Sequence, residues 1–123
     1  MSLLVYPYLR NFNDDSIMEL DTIVGDNYSG LFGLENWRRR VWAAKSLVEM
    51  GCEILPSLRK GDVYAEGAEL LQLERELKNV LRRLDDLVPL LKVDANSLYY
   101  RIQNALEAIR IARDYPNGGV YIG

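Results

Sequence analysis

Glu66 and Glu69 stand three apart, and Glu49 and Glu53 stand four apart. On a helix either spacing puts two carboxylates on one face. Oxygens converging from two such pairs are what a hard divalent cation such as magnesium needs. The competing reading is an ordinary solvated helix face, where exposed acids normally stand. Around these acids the usual chemical partners are missing. The chain has no histidine, which removes the commonest general base near neutral pH and every Ser-His or Cys-His nucleophile pair. Its one cysteine, Cys52, rules out an intrachain disulfide framework and any multi-thiolate zinc site.

The Glu66–Glu69 pair resembles the first carboxylate pair of the MazG-type all-α nucleoside triphosphate pyrophosphohydrolases. That resemblance implies a magnesium-dependent nucleotide hydrolase as one function to carry forward. The family's second, Glu-x-x-Asp pair has no counterpart here, because neither Asp85-Asp86 nor Glu107-Ala-Ile-Arg110 supplies it. The segment Gly25–Gly33 has the composition of a calcium loop. However, Asp21, Asp26 and Asn27 miss the alternating ligand positions and the closing glutamate is absent. A phosphate loop would need Lys-Ser/Thr after the last glycine, where Leu34-Glu35 stands. The segment reads as a connecting loop. From the sequence, then, we assign no catalytic, cofactor-binding or metal-ligating residue and no enzymatic activity.

Arg38-Arg39-Arg40 and Lys45 lie between or beside Trp37 and Trp42, a mixture that suits stacking on a single nucleic-acid strand. The net charge of −3 opposes such binding. Three consecutive helical residues also fan around the axis, which favours a plain charged surface. We expect no nucleic-acid partner.

The elements that must position these groups read as helices. Leu70, Leu77, Leu84 and Leu91 are seven apart, with Leu73, Val80 and Leu87 between them, an a/d register that predicts a helix over 63–88 ending at Pro89. Leu34, Val41, Val48 and Leu55 repeat the register and predict a helix over 34–55, with Ala44 and Gly51 as close-approach positions and Pro56 as its end. Ala95, Leu98, Ile102, Ala105, Ile109 and Ala112 predict a third helix over 95–114, capped by Asp94. The caps Asn13-Asp14-Asp15-Ser16 precede Ile17, Leu20 and Val24, which predict a short amino-terminal helix. Pro7 argues that the aromatic start is an extended arm rather than a central strand. The tail Val120–Gly123 alternates and suits a short strand or a second arm.

The expected fold is therefore all-α: an antiparallel bundle of three long helices plus a short amino-terminal helix, with extended arms at both ends. Within one domain, 1–33 would hold the arm, short helix and loop, 34–115 the bundle, and 116–123 the tail. The middle helix, at about 39 Å against about 30 Å for its neighbours, would overhang them and favour a homodimer.

Apolar residues off the seams mark the expected working surface. Trp42 and Met50 fall outside the register, to be covered by the amino-terminal arm or by another chain. Tyr99 and Tyr100 are adjacent, so Tyr100 is a candidate interface anchor, with Tyr6 and Tyr8 in the arm. The expected function is a non-enzymatic protein-interaction or assembly module. A neutralising partner of a basic effector, such as an immunity protein or antitoxin, is the alternative. The lone cysteine and the lack of a signal-peptide pattern fit a cytoplasmic location, and no run is long enough to span a membrane.

Overall fold

The computed structural model describes residues 2–20 and 30–123. Half of these residues are helical and 22% lie in strands, in one antiparallel sheet with helices on it. The chain is α+β, which overturns the all-α bundle.

The sheet contains β1 (Ser2–Arg10), β2 (Ile17–Glu19), β3 (Leu31–Leu34), β4 (Val63–Glu66) and β5 (Gly118–Ile122). Its order is β2-β1-β5-β4, with β3 also paired to β1. All pairings are antiparallel. The supposed amino-terminal arm is the longest strand. Pro7 is tolerated inside it for a geometric reason. Leu4 and Gly123 exchange both N–H···O bonds, at 2.9 and 3.0 Å. Antiparallel alternation then directs Tyr6 and Tyr8 to β5 and Val5 and Pro7 to the opposite edge. On that edge Val5 donates to Gly30 and the Pro7 carbonyl accepts from Leu20. The missing Pro7 N–H falls opposite Leu20 at the end of the β2-paired stretch, so one bond of that pair is forgone while the other, Leu20 N–H to Pro7 C=O, is kept.

The cap cluster at 13–16 makes a hairpin instead of starting a helix. Asp14 accepts from the Ser16 N–H at 3.0 Å, Asn11 from the Asn13 N–H at 3.0 Å, and Asp15 takes φ 60°. Short polar side chains satisfy turn backbone as readily as a helix start. Ile17 lies in β2, while Val24 and the calcium-like positions Asp21, Asp26 and Asn27 lie outside the described residues.

The predicted helix over 34–55 does not form. Leu34 ends β3, a π-helical turn covers Arg38–Trp42, and two short helices follow, α1 (Lys45–Glu49) and α2 (Ile54–Ser57). The breaks fall at the small residues of the supposed seam. Ala44 is extended at ψ 147° and Gly51 has φ 93°. Val48, a seam position, is 52% exposed.

The predicted middle helix is likewise divided. Residues 63–66 form β4, Gly67 turns the chain at φ 58°, and α3 (Ala68–Arg82) and α4 (Leu84–Leu91) follow. Pro89 sits inside α4, which ends at Lys92 in the left-handed region. The overhang that argued for a dimer is therefore absent. The seam itself is real: Leu70, Leu73, Leu77, Val80, Leu87 and Leu91 are buried.

Helix α5 (Ala95–Ala112) starts at Asp94, whose side chain accepts from the Ser97 N–H at 2.9 Å. It lies on the inner face of the sheet and against α3. Leu3, Val5, Ala65, Val120 and Ile122 meet Leu98, Ile102, Ala105 and Ile109 in one core. Each buried aliphatic side chain contributes about 1.5–3 kcal/mol. Among the described residues no helix is long and apolar enough to cross a membrane.

Candidate functional site

With one face of the sheet buried by helices, every second residue of each strand points to the other side. Register places Tyr6 of β1 opposite Tyr121 of β5, and Tyr121 opposite Tyr64 of β4. The three tyrosines form a row across the strands. Ring centroids are 4.8 Å apart for Tyr6–Tyr121 and 5.0 Å for Tyr121–Tyr64. Tyr64 is 46% exposed and Tyr6 and Tyr121 are half-buried.

The adjoining row is Glu19, Tyr8, Gly119 and Glu66. A Cβ on Gly119 would lie 2.5 Å from Cζ of Tyr8, so glycine lets that ring lie flat across β5. Arg10 closes over it. Its guanidinium sits 5.5 Å from the Tyr8 ring centroid and donates to both Glu66 oxygens, at 3.3 and 3.2 Å. Tyr8 is therefore 0% exposed although it points to the open side. Its hydroxyl has no hydrogen-bond partner among the described residues. Burial first, and then the Glu66 charge, push it up to about 12.

Polar groups fix the other end of the tyrosine row. The Tyr121 hydroxyl donates to Asp62 Oδ2 at 2.8 Å, and Arg38 Nη2 donates to Asp62 Oδ1 at 2.7 Å. Arg38, and then Tyr121, hold the Asp62 carboxyl below its ordinary value. Burial, and then the bond to Asp62, push Tyr121 up to about 12. Tyr6 is raised by burial first and then by Glu19. At neutral pH Tyr6 and Tyr121 are therefore protonated, and Tyr121 gives its proton to Asp62 in that hydrogen bond.

Among the described residues the edge beside the row is also open. Because β1 bonds to Gly119, Tyr121 and Gly123 of β5, the alternate residues Val120 and Ile122 bond to Ala65 and Val63 of β4. The backbone N–H and C=O of Tyr64 and Glu66 then point to the free side of β4.

Sequence and structure meet here in part. Tyr6 and Tyr8 lie on this face. Tyr64 and Tyr121 complete it and were missed, although the alternation of Tyr121 between Val120 and Ile122 carried the signal. Tyr64 was hidden in a segment read as helix. Trp42 is elsewhere: it is 0% exposed, stacked on Phe32 at 4.2 Å, and donates its indole N–H to the Phe32 carbonyl at 3.1 Å. A turn closed by an i→i+5 bond, here Ala43 N–H to Arg38 C=O, brings residues five apart roughly into line. That is why Trp42 joins Trp37 inside. Phe32 of β3 covers one face of it, and it shares a core cluster with Leu3 and Val5 of β1. Met50 is half-buried against the core, beside Asn79, Arg82 and Arg83. Tyr100 is on the exposed side of α5, edge-on to Tyr99 at 5.4 Å.

The four acids of the metal reading are dispersed. Glu66 pairs with Arg10, Glu49 with Lys45 at 3.7 Å, Glu69 lies in the first turn of α3, and Glu53 precedes α2. Among the described residues no group of three or more His, Cys, Asp or Glu is placed to hold a metal ion. Comparison with protein-family models, curated proteins and solved structures finds no match to the chain.

Proposed function

We propose that this chain is a non-enzymatic protein-interaction module. Its docking surface is the Tyr6–Tyr121–Tyr64 row and the adjoining edge of β4, and its partner supplies an extended segment. The observation that carries this reading is the tyrosine row itself, three aligned rings on the side of the sheet opposite the core. Tyrosine gives large contact area with little side-chain entropy to lose, and it is enriched where proteins meet. The free backbone groups of Tyr64 and Glu66 suit addition of a strand, with the tyrosines reading its alternate side chains. The segment can come from another protein or from a second copy of this chain, which would make the homodimer. The lone buried thiol agrees with a cytoplasmic setting.

Asp62 and Glu66 are already paired with Arg38 and Arg10, but Glu19, which borders the row and makes no ion pair among the described residues, favours a segment carrying lysine or arginine. This supports, as a second reading, a neutralising partner of a basic effector.

A photo-crosslinking residue placed at Tyr64, and separately at the exposed Leu71 of α3, tests the surface in the native host. Position 64 should trap one discrete protein and position 71 should not. Crosslinks to the chain itself identify the second copy as occupant. Equal trapping at both positions, or none at 64, overturns the reading.

A further inference from the structure

A second surface has a different chemistry. Glu35, Asn36, Arg38, Arg39, Arg40 and Arg59 line one cleft beside the π-helical turn, with a volume of about 590 Å³. Arg38 is fully engaged: it pairs with Glu35 and Asp62 and donates to the carbonyls of Leu58 and Gly61 at 3.1 and 3.0 Å. These bonds tie the 58–62 turn to the π-helical turn and so carry Arg59 to Arg39 and Arg40, twenty residues away in sequence. They also occupy both nearby carboxylates. The side chains of Arg39 and Arg59 make no hydrogen bond or ion pair among the described residues, and the Arg40 side chain gives one N–H to the Lys92 carbonyl at 3.2 Å. Three guanidinium groups thus face one cleft in a chain whose net charge is −3.

We infer that this cleft binds a compact, multiply charged phosphate group, a di- or triphosphate on a small molecule, through Arg39, Arg40 and Arg59 with the Asn36 amide beside them. Like charges brought together without counter-charge repel, and an anion that bridges them relieves that repulsion. Planar guanidinium forks match phosphate oxygens two at a time. The cleft volume lies within the usual range for small-molecule sites. A nucleic-acid strand fits less well. Trp37 and Trp42 are buried, so no aromatic platform stands beside the arginines, and the overall negative charge opposes an extended polyanion.

Titration calorimetry of the full chain with tripolyphosphate, pyrophosphate, orthophosphate and an oligothymidylate tests this site. Tripolyphosphate should bind saturably, one per chain, more tightly than pyrophosphate and much more tightly than orthophosphate. The double variant Arg39→Gln/Arg59→Gln, whose side chains are exposed, should keep its thermal unfolding midpoint and weaken tripolyphosphate by at least about tenfold, or about 1.4 kcal/mol. Arg82→Gln/Arg83→Gln should leave affinity unchanged. Absence of saturable binding, equal loss in both double variants, or tighter binding of the oligothymidylate at equal phosphate concentration overturns the assignment.

Discussion

Glu76 of α3 and Ile54 at the start of α2 are joined by a buried hydrogen bond, the Ile54 N–H donating to Glu76 Oε2 at 3.0 Å. The same carboxylate accepts from the N–H groups of Glu53 and Leu55 and from the Gln72 amide, each at 3.0 Å. One side chain, 5% exposed, thus satisfies the N-cap N–H and the first two N–H groups of a four-residue helix that has no side-chain cap of its own. Negative charge is also favoured at a helix start.

Glu76→Ala removes that acceptor. Each buried donor left unsatisfied costs about 1–3 kcal/mol, so the total loss should reach at least about 3 kcal/mol. Glu76→Gln, which keeps one carbonyl oxygen, should lose clearly less. Urea unfolding followed by tryptophan fluorescence measures both. An Ala variant within about 0.5 kcal/mol of the parent would show that α2 does not depend on Glu76.

Tyr8 and Tyr121 give the alkaline limit a definite sign. Both are raised in the folded chain, from the ordinary 10.0 to about 12. The neutral form is the one the fold favours, so their contribution is complete below pH 10 and disappears as pH rises toward about 12. Tyrosinate absorbance should show a late titration step near pH 12 from these two residues. Tyr8→Phe should delete part of that late step; an unchanged late step in Tyr8→Phe contradicts the assignment to Tyr8.

Cys52 reports global opening. Its thiol is buried, and burial, then the charge of Glu76, push it up to about 11. Labelling by a thiol reagent at mildly alkaline pH should be slow in the native chain and rise with urea along the unfolding curve. Fast labelling without denaturant would mean that the 51–54 segment opens locally.

Gly118 allows α5 to end against the sheet. A Cβ there would overlap the Ala112 carbonyl, which is backbone and has no rotamer to escape into. Gly118→Ala should cost about 1–3 kcal/mol as an overpacking change, measured as a lower thermal midpoint. Gly61→Ala, where a Cβ meets open space, is the control and should change little.

Helical periodicity was legible where a helix is continuous. The Leu70–Val80 seam and the Asp94-capped α5 follow from spacing because their apolar stripes are narrow and uninterrupted. Sheet periodicity was hidden. In β1 the inward set Leu3, Val5 and Pro7 alternates with the equally apolar Leu4, Tyr6 and Tyr8, so no period-2 contrast is visible. The register Leu34, Val41, Val48, Leu55 was a coincidence of spacing across a strand end, a π-helical turn and two short helices. Of the tyrosine face, Tyr6 and Tyr8 were singled out by composition. Tyr64 and Tyr121 needed the pairing of β4 with β5, which no local pattern reveals.

That pairing also sets an order of assembly. Among the described residues β4 bonds to β5 alone, and the tyrosine row takes one ring from each of positions 6, 64 and 121. During translation β4 has no strand to join until residues 118–122 have cleared the ribosome. A prematurely terminated product therefore carries Tyr6 and Tyr64 without the ring that links them. The row of three rings is therefore complete only once residues 118–122 have joined the sheet.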